Sequence, residues 1–232
     1  MELLFASGNV RYERKFVIHN IDWASADLIV RKNGAIFRQK YPERWVNSIY
    51  FDSPSMAFYN VHVNGAHGIR LKIRIRWYGV PFDIIENPVL ECKMKKGIVS
   101  SKVRYALPSF NASEVSSEKL TSLLQQSKDV PCKLKELFPF LKTTVVIRYQ
   151  RKYYESSDKH FMVTLDTHIQ ARRPEIPFFT KVDFIDGEQF VVLELKYPES
   201  YDNDAGTVSN QFGFTLSKYS KYISAIERLY AV

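Results

Sequence analysis

The stretch Arg70-Leu71-Lys72-Ile73-Arg74-Ile75-Arg76-Trp77 alternates cationic and apolar residues without a break. Successive side chains of a strand point to opposite faces. The octet therefore predicts a strand with Arg70, Lys72, Arg74 and Arg76 on one face. Leu71, Ile73, Ile75 and Trp77 occupy the other, and that face has to be buried. Four cations along about 20 Å of one strand face repel one another unless an anion lies beside them. The rest of the chain has to show where the apolar face goes and what the anion is.

The same two-sided pattern recurs on both sides of the octet. Residues 10–18 read as a strand with Arg11, Glu13 and Lys15 on one face and Tyr12, Arg14 and Phe16 on the other. Pro88 to Lys95 sets Glu91, Lys93 and Lys95 against Leu90, Cys92 and Met94, and Val99 to Leu107 sets Lys102 and Arg104 against Val103 and Tyr105. Further strands are predicted over Trp45–Phe51, Thr143–Glu155 and Phe161–Gln170. The last of these groups Met162, Thr164, Asp166 and His168 by period two. Lys181–Ile185 and Phe190–Tyr197 read as a hairpin around Asp186-Gly187, with Glu194 and Lys196 on one face. Helical spacing appears at Asp22 to Lys32, from about Ser113 through the Leu120, Leu123 and Leu124 stripe, at Lys133–Phe138 and at Leu216–Tyr230. Met56–Val63 reads as a helical turn and Pro198–Gly213 as loop. With no repeat, low-complexity tract or linker, residues 1–232 are read as one α+β domain of antiparallel strands with helices packed outside.

Composition narrows the function classes. The 232 residues carry 33 basic and 25 acidic side chains, for a net charge of +8. Such a protein favours anionic partners. Two cysteines, Cys92 and Cys132, supply neither a zinc cluster nor a disulfide framework. No apolar run approaches the roughly 18 residues of a membrane helix, and the first residues do not form a signal peptide. The expectation is a cytoplasmic protein with free thiols.

Two architectures accommodate charge-faced strands. One is a one-sided antiparallel sheet with a solvated face. The other is a closed barrel whose charged faces turn inward and whose apolar faces are covered by the helices. Repeated same-sign series favour the barrel, because a merely soluble face mixes signs. A basic bore suits a polyanion with closely spaced charge: Arg makes bidentate contacts to phosphate oxygens and Lys adds point charges. The single carboxylates Glu13, Glu91, Asp166 and Glu194 offer hard oxygen ligands for a divalent metal bridging phosphates. No GxxxxGK[ST] loop is present, so a P-loop site is excluded. Trp77, Tyr12 and Phe16 fall opposite the cations, which argues against a nucleic-acid surface, where aromatics interleave with cations on one face.

The ordered segments RYERKF (11–16), NSIYFD (47–52), RLKIRIRWYG (70–79), LECKMKKG (90–97), SKVRY (101–105), RYQRKYY (148–154), TLDT (164–167), LELKYP (193–198) and LSKYSKY (216–222) resemble the VTC domain. This is the catalytic domain of polyphosphate polymerases, within the CYTH or triphosphate tunnel metalloenzyme superfamily. The resemblance implies an antiparallel eight-stranded β tunnel that binds triphosphate and a growing inorganic polyphosphate chain, uses ATP and requires Mn or Mg. By the same resemblance, Lys15, Arg74, Arg76, Lys93, Lys102, Tyr149 and Arg151 are phosphate-binding. Glu194 is the metal ligand, and Lys218 and Lys221 are paired lysines sharing one face of the last helix. Arg74, Arg76, Lys93, Arg151 and Glu194 form the catalytic set, and Glu13 is a further candidate metal ligand. Asp166 reads equally as a second metal ligand or as a partner for Arg or Lys.

Two positions depart from the pattern. The family's arginine ahead of the Thr-Leu-Asp segment is Met162 here. Strand parity also opposes Arg148 to Arg151; Arg151 is favoured for the bore, although Val145 and Ile147 share its parity, and a bulge would reconcile them. Alternatives within the same fold are a tripolyphosphatase or nucleoside triphosphatase, and a non-catalytic domain that binds polyphosphate or inositol pyrophosphate.

Overall fold

The basic octet lies in an interior strand of a strongly curled antiparallel sheet. A computed structural model describes residues 11–65, 69–79, 81, 83–96, 99–174, 184–186 and 189–231. In chain order the elements are β1 (Arg11–His19), α1 (Trp23–Lys32), β2 (Arg38–Asp52), α2 (Ala57–Val63), β3 (Arg70–Tyr78), β4 (Ile84–Ile85), β5 (Val89–Lys96), β6 (Val99–Ala106), β7 (Phe110–Asn111), α3 (Ser117–Gln126), α4 (Cys132–Leu137), β8 (Lys142–Glu155), β9 (Met162–Arg172), β10 (Ile185–Asp186), β11 (Phe190–Pro198), α5 (Asp202–Asn210) and α6 (Lys221–Tyr230). The main sheet runs β1-β11-β9-β8-β2-β3-β5-β6, with β10 also pairing β9, while β4 and β7 form a separate ribbon. No ladder joins β1 to β6 among the described residues, so the expected closed barrel is an open curl at this seam. Accumulated strand twist brings the margins together: Glu13 of β1 reaches Lys93 of β5 at 3.0 Å.

The period-two pattern sorts residues between inside and outside. Ile73, Ile75 and Trp77 of β3 point outward and pack with Leu90, Cys92 and the α3 stripe Leu120, Leu123 and Leu124. Burying each such side chain contributes about 1.5–3 kcal/mol. A second outer core joins Phe16, Leu165, Leu193 and Leu195 to Ala26 and Val30 of α1 and to Ala205 and Val208 of α5. The third core is on the inner face: Tyr222, Ala225, Ile226 and Leu229 of α6 cover Tyr50, Val145, Ile147 and Val192. Helix α6 therefore occupies one part of the curl and leaves the remainder as a bore.

This inner core resolves the parity question on β8. Val145, Ile147, Tyr149 and Arg151 all face inward, the first two beneath α6 and the last two into the bore. Arg148 points away and stacks on Trp45 and Phe184, its guanidinium carbon 4.9 and 4.2 Å from the two rings. The irregularity is on β9. Arg148 faces Gln170 and Gln150 faces Thr167, which places an extra residue on β9 at His168, with φ 49°. A bulge of this kind re-aims side chains, and exposed His168 leaves the face it was expected to share with Asp166.

Other expectations are corrected. Ile185 and Asp186 pair with Ala171 and Gln170 of β9, not with the following strand, because both edges of β11 are taken by β1 and β9. Residues 181–183 and 187–188 of the expected hairpin lie outside the described residues. β2 begins at Arg38 rather than Trp45, since the end of β8 offers it partners as far as Glu155. The expected loop after Pro198 contains α5, whose Ala205 and Val208 are buried. Gly206 and Thr207 are poor helix formers, so that helix rests on tertiary burial. The last helix starts at Lys221, capped by the Ser220 side chain, rather than at Leu216.

Candidate active site

The inner face encloses a cavity of about 540 Å³, within the usual size range for small-ligand sites. Its lining comes from eight strands and from Tyr219–Tyr222 at the start of α6. The register explains the convergence: Tyr50 faces Arg74, Arg74 faces Glu91, and Glu91 faces Arg104 across β2, β3, β5 and β6.

Glu91 organises one wall. It is 2% exposed. Its carboxylate accepts from Arg74 at 2.8 and 2.6 Å and from Arg104 at 2.9 Å, and it pairs with Lys102 at 2.7 Å and Arg76 at 3.5 Å. Burial disfavours its charge, but Arg74, Arg76 and Lys102 outweigh burial and hold the carboxyl well below the usual range. Arg74 also donates to the Tyr50 hydroxyl at 2.7 Å, while Arg76 donates to Ser48 at 3.3 Å and to Tyr149 at 3.0 Å. These guanidiniums are held in position before any ligand arrives, which is the condition for strong electrostatic stabilisation of a reacting phosphate.

The opposite wall is balanced differently. Asp166 is fully buried; Arg151 donates to it through Nε at 2.5 Å and Nη2 at 2.6 Å, and Lys221 donates to the same carboxylate. Glu194 pairs with Lys196 at 2.8 Å, Lys15 at 3.0 Å and Arg151 at 3.7 Å. Glu13 pairs with Lys93 and, at 3.8 Å, with Lys15. Burial opposes ionisation of all three carboxyls. The neighbouring cations prevail at each, and Glu13 sits at about 2.

Two lysines are incompletely compensated, one with no carboxylate and one sharing Glu91 with three arginines. Lys72 lines the cavity and donates to Ser220 at 2.9 Å. It has no carboxylate within 4.0 Å among the described residues. Burial, then Lys15, Lys93 and Arg74, push its ammonium down to about 7. Burial also pushes Lys102 down to about 7, against the pull of Glu91. An entering anion would add counter-charge to both.

Of the residues predicted from sequence, Glu13, Lys15, Arg74, Arg76, Lys93, Lys102, Tyr149, Arg151, Glu194 and Lys221 all line the cavity. Lys218 does not. It is exposed and precedes α6, so the two lysines share no helix face. Asp166 lies behind the lining, with both oxygens engaged by cations. Met162 also lines the cavity, and Arg11 of β1 has its Nη1 4.0 Å from the Met162 sulfur. Sequence reading missed Tyr50, Tyr78, Tyr153 and Ser220 as lining residues, and Glu91 as the hub. Same-face parity with the cations marks Glu91 and Tyr50, but nothing local marks Ser220.

No group of three or more His, Cys, Asp or Glu side chains suited to holding a metal occurs among the described residues. The carboxylates on the bore are Glu13 and Glu194, on either side of Lys15. That donor set fits a hard divalent ion carried in with phosphates and keeping several waters, and does not fit an all-protein cage.

The architecture agrees with the comparisons. The VTC domain family model matches residues 10–230, and the chain belongs to that family. No curated protein sequence matches it. Among solved structures it is similar to a Hippeastrum protein assigned as an adenylyl cyclase and described as having a dominant triphosphatase activity; identity is 12%, 96% of this chain and 97% of that one are covered, and the TM-score is 0.55. It is also similar to a protein from Vibrio parahaemolyticus assigned as an adenylate cyclase, at 12% identity, 94% and 98% coverage and a TM-score of 0.54. At such identity the likeness is one of fold alone: a curled antiparallel sheet with helices packed on it.

Proposed function

We propose that the chain is a polyphosphate polymerase that transfers the terminal phosphoryl group of ATP to a growing inorganic polyphosphate chain. The observation carrying this reading is the cavity itself. Three guanidiniums, of Arg74, Arg76 and Arg151, are held by buried Glu91 and Asp166, beside two lysines that lack full compensation. Phosphoryl transfer needs positioning and neutralisation of charge more than covalent help from the protein. A terminal phosphate oxygen of the acceptor attacks the γ-phosphorus in line. The bond from that phosphorus to the β,γ-bridging oxygen breaks, and ADP leaves with the electron pair. The acceptor is already an anion, so no general base is required. Arg74, Arg76, Lys93 and Arg151 bind the equatorial and bridging oxygens, while Lys15, Lys102, Tyr149 and Lys221 hold the neighbouring phosphates. A divalent Mn or Mg ion, held by Glu194 with Glu13 beside it, would supply further neutralisation of the triphosphate.

The same geometry accommodates water in place of the acceptor, and the activity described for the Hippeastrum protein makes a triphosphatase the second reading. Phosphorus NMR of the purified protein with ATP and Mn, with and without pyrophosphate as primer, separates the two. Internal-chain phosphate signals growing as ATP becomes ADP are expected; orthophosphate alone would establish the hydrolase. The protein is proposed to act in the cytoplasm: Cys92 and Cys132 are both free thiols. No helix among the described residues is long and apolar enough to cross a membrane.

A further inference from the structure

On one side of the bore the lining changes from carboxylate-held cations to tyrosines. Tyr78 of β3 and Tyr153 of β8 line the cavity there. Tyr41 of β2 stands beside them, its ring edge-on to Tyr153 with centroids 5.6 Å apart. Arg44 lies in their midst. Its guanidinium carbon is 4.0 Å from the Tyr78 centroid, 4.9 Å from that of Tyr153 and 5.3 Å from that of Tyr41. Arg74, Arg76 and Arg151 each reach a buried carboxylate. Arg44 has none within 4.0 Å among the described residues, and its buried Nε has no hydrogen-bond acceptor. Among the described residues, ring faces are what offsets its charge.

Sheet register links this cluster to the phosphate site. Arg44 is the cross-strand partner of Arg151, and Arg151 itself lies 5.7 Å from the Tyr153 centroid. Cross-strand partners are about 5 Å apart at Cβ, a separation that a triphosphate can bridge. The outer rings are half open: Tyr78 is 40% exposed and Tyr41 42%. An inorganic phosphate chain gains nothing from aromatic surface, whereas a nucleobase does, because every base has a π-face that stacks on such rings.

We propose that the Tyr41–Tyr78–Arg44 cluster is a nucleobase platform, on which the purine of a nucleoside triphosphate stacks while Arg44 takes its α-phosphate and Arg151 the phosphates beyond. This rests on the reading that the bore accepts ATP as phosphoryl donor. It adds that ATP enters with its nucleoside outward on the tyrosine side, and that the site separates nucleotides from inorganic triphosphate.

The test is calorimetric titration of the full chain with ATP and, separately, with tripolyphosphate, for wild type, Tyr41→Ala and Tyr41→Phe. Tyr41→Ala weakens ATP binding by about tenfold and leaves tripolyphosphate binding within twofold, and Tyr41→Phe restores ATP affinity. Among nucleotides, CTP and UTP lose less than ATP because smaller bases stack less. Thermal unfolding confirms that the exposed ring is removed without loss of fold. Equal losses for both ligands, or no loss for either, overturn the platform. Product formation is a separate readout. A protein that shows the ATP-selective loss but yields only orthophosphate overturns the polymerase and keeps the platform. One that makes polyphosphate while the two affinities move together does the reverse.

Discussion

The two walls of the bore handle charge in opposite ways. On the β3–β5–β6 side a single buried carboxylate, Glu91, serves Arg74, Arg76, Lys102 and Arg104, and Lys72 beside them has no acidic partner among the described residues. On the β8–β9–β11–β1 side Asp166, Glu194 and Glu13 share Arg151, Lys221, Lys15, Lys196 and Lys93. The first wall is in deficit of negative charge and calls for an anion. The second, with three carboxylates to five cations, is nearer balance and presents the carboxylate oxygens of Glu13 and Glu194 to the cavity.

Several substitutions can break or sharpen that contrast. The largest effects are on turnover: Arg74→Ala on the first wall lowers the rate by about 10³-fold, as for loss of a transition-state guanidinium. Glu194→Ala on the second abolishes metal-dependent turnover while tripolyphosphate affinity holds or rises. Rates and calorimetry on variants with unchanged melting check both; retained activity in a folded Glu194→Ala protein would remove the proposed metal role. Next comes stability. Glu91→Ala strands buried Arg76 and half-buried Arg74 and costs about 3–5 kcal/mol, read by denaturant unfolding. Tripolyphosphate relieves the loss by neutralising the same cations.

A smaller effect is on pH. Lys72 and Lys102 titrate near 7 in the free protein, and an anion binds their charged forms. Tripolyphosphate affinity is therefore full below pH 7 and falls as pH rises through it. Lys72→Met flattens that slope, and calorimetry between pH 6 and 9 measures it. A slope unchanged by Lys72→Met would place the titration elsewhere. The smallest effect is at the start of α6. Lys218→Ala changes turnover by less than about twofold, because its side chain lies outside the cavity, whereas Lys221→Ala lowers turnover sharply and also unbalances Asp166.

The tyrosines and α6 show where local reading stopped. Period two placed Arg74, Arg76, Lys93, Lys102, Glu194 and Lys15 on the faces they occupy, since alternation is a property of each strand alone. It also placed Arg151 with Val145 and Ile147, and only the position of α6 shows that one face is both core and cavity. The bulge at His168 left no local mark: a strict count carried His168 onto the face of Asp166. Helix α5 has weak propensity and forms over buried Ala205 and Val208, so its sequence looked like loop.

By itself, then, the sequence determined the strands, the sidedness of each and the cationic character of the face they share, because backbone pleating turns alternation directly into two faces. Tertiary structure decided the rest. It decided which carboxylate answers which cation, because pairing depends on cross-strand register. It decided that β1 and β6 approach without pairing, because curl accumulates over the whole sheet. It also decided that α6 fills part of the bore and brings Ser220 and Lys221 to its wall, because a helix is placed by what it buries and not by the residues that begin it.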